Sequence, residues 1–141
     1  LVRHASHDRV PLVLPENFDE LSVLVSHPDD VKKFLSELIK YDEIITSALH
    51  VMIACQSYGI PCSLITFEGL ENSISGTGLK YADYSLGVGL NELVPVVVER
   101  DLHRMPLEKI RQTELISDSK KDEIEQRLLD AIYSILNRKD L

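Results

Sequence analysis

A chain of 141 residues that is 44% hydrophobic and 27% charged carries enough apolar side chain for one core and fits a single domain over residues 1–141. Its formal charge of −8, from 23 acidic against 15 basic residues, comes without a Lys/Arg run and argues against a nucleic-acid partner, which needs a basic face. No apolar run approaches the ~20 residues of a membrane-spanning helix, and the polar opening LVRHASHDRV has no apolar signal-peptide region.

Residues 1–3 read as the end of a first strand, and residues 4–20 as a polar link broken by Pro11 and Pro15. The chain opens at Leu1, almost inside a strand, which predicts a fragment of a longer protein. Residues 21–25 are a second strand. Pro28 suits a first helical position, Asp29 and Asp30 suit the positive end of the helix dipole, and Val31, Phe34, Leu35, Leu38 and Ile39 mark one apolar helix face. Residues 43–46 form a short buried strand, residues 48–58 a second helix closed by Gly59 and Pro61, and residues 63–67 a further strand. A loop rich in Gly, Ser and Asn follows, then a short helix over 79–86 and a strand over 94–98 in which Pro95 favours an edge. The last helix spans about residues 118–137, with an apolar stripe of Ile124, Leu128, Leu129, Ile132, Ile135 and Leu136. Alternating strands and helices with near-continuous apolar strands predict an α/β fold, a Rossmann-like parallel sheet with helices on both faces.

The residues with chemical potential fall at strand ends, where an open α/β sheet binds its ligands. Ser47 sits between a strand and a helix. It can cap that helix, and the same geometry lets its hydroxyl and the helix N-terminus hold an anion. His50 lies in the first turn, in a positive field that favours neutral imidazole, able to bond an anion or transfer a proton. Gly76-Thr77-Gly78 followed by Lys80 is a weak phosphate-cradle pattern that lacks the full nucleotide-loop spacing. His4 and His7 follow the first strand and feed the same edge. Cys55 and Cys62 read as small buried hydrophobes, nothing has zinc-ligand spacing, and Asp118, Asp122, Glu123 and Glu125 read as a solvated helix face.

Thr46-Ser47-Ala48-Leu49-His50 after a buried strand, Tyr58-Gly59-Ile60-Pro61 after a helix of small residues, and then Lys80, Asp83 and Tyr84 together resemble the polysaccharide pyruvyl transferase family over about residues 40–90. The resemblance implies the C-terminal lobe of a two-lobed fold similar to GT-B glycosyltransferases, with the N-terminal lobe elsewhere in the protein. It implies transfer of a pyruvyl group from phosphoenolpyruvate to a sugar of an exopolysaccharide or cell-wall glycan as a ketal. The donor is a substrate, so no cofactor is called for. The acceptor would be a glycan or lipid-linked saccharide, and the location cytoplasmic, extending to the inner face of the membrane. In that light His50 is the catalytic candidate; Ser47, Gly78, Lys80 and His4 are donor- or anion-binding candidates; and Asp83 and Tyr84 are structural or acceptor-side. Many members carry arginine two residues before the histidine and glycine after it, where this chain has Ala48 and Val51. Those two positions keep open a GT-B lobe that uses a nucleotide-sugar, and a non-catalytic binding module.

Overall fold

The computed structural model describes residues 1–74, 78–104, 107–112 and 114–137. In chain order the strands and helices are β1 (Val2–Arg3), β2 (Leu21–Ser22), α1 (Pro28–Leu38), β3 (Ile44–Thr46), α2 (Leu49–Tyr58), β4 (Cys62–Phe67), α3 (Leu79–Gly87), β5 (Val96–Val98) and α4 (Asp118–Leu136). Three 3-10 turns lie at Ala5–His7, Leu102–Arg104 and Leu107–Lys109. The strands form one five-stranded sheet in the order β2-β1-β3-β4-β5, and every pairing is parallel. This is the α/β, Rossmann-like architecture that the alternation of elements predicts. The order reverses between β1 and β3, which creates a crevice at their carboxyl ends.

The helix ends follow from their residues. At the start of α1, His27 Nδ1 accepts from the Asp29 N–H at 3.3 Å and the Asp30 carboxylate accepts from the His27 N–H at 3.1 Å, with Pro28 in the first turn. This reciprocal pairing satisfies N–H groups that have no partner inside the helix. α2 ends at Gly59, whose φ of 71° is the left-handed conformation that lets the Ile60 N–H reach back to the Cys55 carbonyl at 2.8 Å. β5 begins only opposite Ile65, so Gln112 takes over beside the first half of β4. Its Oε1 accepts from the Leu64 N–H at 2.8 Å and its own N–H donates to Ser63 Oγ at 3.0 Å.

The two faces of the sheet are covered differently. Leu38 of α1, Val51, Met52 and Cys55 of α2, and Tyr81 of α3 pack with Val2, Ile44 and Leu64 on one face. On the other face Ile45, Ile65, Phe67 and Val98 meet Leu102 and Ile110, with Val10, Leu12, Leu14 and Phe18 against them. The expectation of helices on both faces is therefore corrected: α1, α2 and α3 share one face, and coil with 3-10 turns covers the other. The reason lies in connectivity. Right-handed crossovers from β2 to β3, β3 to β4 and β4 to β5 all fall on the same side, and only the β1–β2 link crosses opposite. That link carries Pro11 and Pro15, which leave it no uninterrupted helix. Arg3 fastens it instead, donating to the His7 carbonyl at 3.1 Å and the Val10 carbonyl at 2.7 Å while pairing with Glu20.

Ser117 caps α4, accepting from the Lys120 N–H at 3.2 Å, and Gln56 ties down its approach by accepting from the Ile116 N–H at 3.0 Å and donating to the Glu114 carbonyl at 2.8 Å. Beyond that anchor no residue of α4 is buried; Leu128 and Ile135 are 60% and 64% exposed. Among the described residues no helix is long and apolar enough to cross a membrane.

Candidate functional site

The β3–α2 turn is built from side chain–backbone bonds. Thr46 Oγ1 donates to the Val2 carbonyl at 2.8 Å and accepts from the Ala48 N–H at 3.0 Å, while the Ser47 N–H donates to the same Val2 carbonyl at 3.2 Å. These bonds splice the carboxyl ends of β1 and β3 together. Ala48 is the N-cap of α2 and offers no capping side chain. The expectation that Ser47 caps this helix is corrected by one residue. Among the described residues the Leu49 and His50 N–H groups have no protein acceptor, so the helix dipole and two donors face the crevice.

Ser47 is fully buried, and its hydroxyl is engaged elsewhere. Ser47 Oγ accepts from the His4 N–H at 2.9 Å and lies 2.9 Å from His7 Nδ1; His7 Nε2 lies 2.7 Å from Ser73 Oγ, which donates to the Leu70 carbonyl at 2.6 Å. Each hydroxyl has one proton, so hydrogen-bond logic sets the roles. Ser73 gives its proton to Leu70 and accepts from Nε2–H. His7 is then the neutral Nε2–H tautomer, and its Nδ1 accepts from the Ser47 hydroxyl. His7 is 0% exposed and packs edge-on to Phe67 at 5.3 Å between ring centres. Burial above all holds its pKa below the usual histidine value, followed by the charges of His4 and Arg3. Ser47 thus has no proton left for a bound anion, and the donors left without a protein acceptor at this turn, among the described residues, are the Leu49 and His50 N–H groups. His7 is the member of the N-terminal histidine pair that enters the core, and Ser73 is the residue that sequence reasoning missed. A serine in a polar loop carries no signal that it will meet a histidine 66 positions earlier.

His4 and His50 line one cavity at the carboxyl edge of the sheet, and Lys80, its Nζ 5.2 Å from the Tyr81 ring centre, lies near enough to His4 for its charge to act there. His4 follows β1, His50 is in the first turn of α2, and Lys80 is in the first turn of α3. His4 Nδ1 accepts from the Ser6 N–H at 3.1 Å, which leaves Nε2–H as its outward donor. The His4 pKa is lowered, first by partial burial and then by the nearby positive charges of Lys80 and His50. His4 is therefore a neutral donor near neutral pH, with the ammonium of Lys80 as the fixed cation. His50 is exposed, and with His4 it lines a cavity of about 380 Å³ between α1 and α2.

Gly78 is the N-cap of α3 with a φ of 85°, a conformation that favours glycine. Its partners in the predicted cradle, Gly76 and Thr77, lie outside the described residues. Asp83 is exposed, one turn along α3 from Lys80. Tyr84 is half-buried, and its hydroxyl pKa is pushed up to about 12, first by burial and then by the nearby Cys62 and Cys55 thiols. Both cysteines are buried and reduced, and the Cys62 thiol is raised by its hydrogen bond to Cys55 and by burial. They are the small core hydrophobes that the sequence predicts. Among the described residues no three His, Cys, Asp or Glu side chains are grouped to hold a metal ion.

No family model, no curated protein and no solved structure matches this chain.

Proposed function

We propose that this chain is the donor-binding lobe of a polysaccharide pyruvyl transferase-like enzyme, holding phosphoenolpyruvate in the β1/β3 crevice. The observation that carries the reading is the pairing of His4 and His50 beside the uncapped α2 N-terminus, with Lys80 near enough for its charge to reach His4. A small anion with a phosphate and a carboxylate matches that set: free N–H groups and a helix dipole for one group, an ammonium and two imidazoles for the other.

In the proposed reaction the first sugar hydroxyl adds to C2 of the donor as C3 takes a proton from His50, and the proton that this hydroxyl gives up returns to His50. The C2–O bond to phosphate then breaks, and the electron pair leaves with phosphate. The second hydroxyl adds to C2 and closes the ketal, its proton ending on the released phosphate. Lys80 neutralises the leaving charge. His7 holds Ser47, and through it the His4 backbone, in place. The GT-B-like second lobe and a glycan or lipid-linked acceptor complete the proposal.

The test is a two-dimensional NMR titration of the chain with phosphoenolpyruvate, with a uridine diphosphate-sugar as the contrast. Saturable shifts at Leu49, His50 and Lys80 with phosphoenolpyruvate, absent in His50→Ala, are expected. A response to the nucleotide-sugar alone would replace this reading by glycosyl transfer, and silence toward both would remove the crevice as a donor site.

A further inference from the structure

Behind the mouth at His4 and His50 the cavity has an apolar lining, which suits neither charged group of phosphoenolpyruvate. Its walls are Val23 and Val25 beyond β2, Val31 and Phe34 on α1, and Ala54 on α2, and of its lining side chains only those of His4 and His50 are polar. At about 380 Å³ it is more than twice the ~150 Å³ of an apolar protein cavity that holds one benzene. Val25 and Val31 at its rim are each 41% exposed, so apolar surface stays open to water beside a mouth that is polar. A carboxylate or phosphate placed among these valines would lose its hydration with no donor to replace it. At the mouth the same group meets the His4 and His50 imidazoles, beside the uncapped N-terminus of α2. The arrangement follows the general rule for small-ligand sites, an apolar cleft with a few polar groups that fix orientation.

We propose that this cavity binds a compact amphipathic anion, a phosphate or carboxylate head joined directly to an apolar body of about six to eight carbons, with the head at His4 and His50 and the body between α1 and α2. The proposal stands on the shape and lining of the cavity and is independent of pyruvyl transfer. The small side chains of Ala48 and Ala54 keep α2 from filling the space that Phe34 and Leu35 wall from the other side. The residue that departs from the resemblance, Ala48, is thus one that opens the cavity. The same head-and-body chemistry occurs in free metabolites and at the end of a membrane lipid, and a volume of about 380 Å³ fits a short body rather than a lipid chain.

The experiment is the NMR titration repeated with inorganic phosphate and with butyl, hexyl, octyl and dodecyl phosphate, each below its micelle concentration. Affinity should rise about two- to fourfold per methylene from butyl to hexyl, then level off by octyl. The shifts should centre on Val31, Phe34 and Ala54. Ala54→Phe, which fills the cavity from α2, should abolish the dependence on chain length and keep the response to inorganic phosphate. Val31→Ser, at the exposed rim, is a milder variant that should weaken hexyl phosphate severalfold and serves if Ala54→Phe loses its native circular dichroism. Hexyl phosphate binding no tighter than inorganic phosphate would overturn the proposal, as would a chain-length dependence that survives both variants. Tightening that continues to dodecyl phosphate would also overturn it, by showing a lipid-tail surface. Binding of hexyl phosphate without phosphoenolpyruvate would sink the pyruvyl transfer reading alone; the reverse would sink this one alone.

Discussion

His4 and His7 stand three residues apart on the same short turn, and the fold gives them opposite surroundings. His4 turns its Nε2 outward to the cavity it lines with His50, near Lys80. His7 turns inward and has both ring nitrogens occupied, by Ser47 at 2.9 Å and Ser73 at 2.7 Å. Both have pKa values lowered first by burial, yet the consequence differs. A neutral histidine with a free donor can meet a ligand; a neutral histidine with no free nitrogen can only hold structure. The lower tier positions the upper one, because Ser47 links His7 to the His4 backbone.

Removing His7 should break the comparison most sharply. His7→Ala leaves a buried void and strands the Ser47 hydroxyl, and the expected loss of unfolding free energy in urea is about 2–4 kcal/mol. A loss under about 0.5 kcal/mol would show that the relay is not structural.

Lowering the pH reaches the same residue without mutation. The unfolded chain takes up a proton on His7 near the ordinary histidine value, while the folded chain does so only at lower pH. The folded state therefore binds fewer protons over that window. Stability should be flat above about pH 6.5 and fall by up to about 1.4 kcal/mol per pH unit for this one group as pH drops toward the folded value. The unfolding midpoint followed from pH 8 to 5 reads this directly, and His7→Gln should flatten its share of the slope. His4, lowered in the same direction, should leave a smaller remainder.

Ser73→Ala is the next step down. It removes the acceptor for Nε2–H at the exposed end of the relay and should cost about 1 kcal/mol in the same urea assay, with no effect on anion titration at His50. His50→Ala should have the smallest effect on stability, within about 0.5 kcal/mol, because the side chain is exposed, and the largest on binding, abolishing the phosphoenolpyruvate shifts. Equal effects of His50→Ala and His7→Ala on both readouts would erase the distinction between the two tiers.

Local patterns in the sequence were enough to determine most elements. The Pro28-Asp29-Asp30 start of α1, the Tyr58-Gly59-Ile60-Pro61 end of α2 and the apolar run of β4 act through caps, fixed dihedrals and periodicity, which neighbouring residues supply. Parallel pairing was legible for the same reason, since strands alternating with helices leave few other solutions. Part of the candidate site was legible too: His50 and Lys80 sit in the first turns of helices that follow strands, and topology brings such turns to one edge. The partners of those residues were not. The choice between His4 and His7, the engagement of Ser47 with His7 rather than with α2 or a ligand, and the role of Ser73 depend on bonds across 40 and 66 positions. The uneven cover of the two faces and the apolar cavity between α1 and α2 depend on strand order and crossover side. Periodicity tells which face of an element is apolar, but only the packed chain decides what that face meets and which polar group is left free to act.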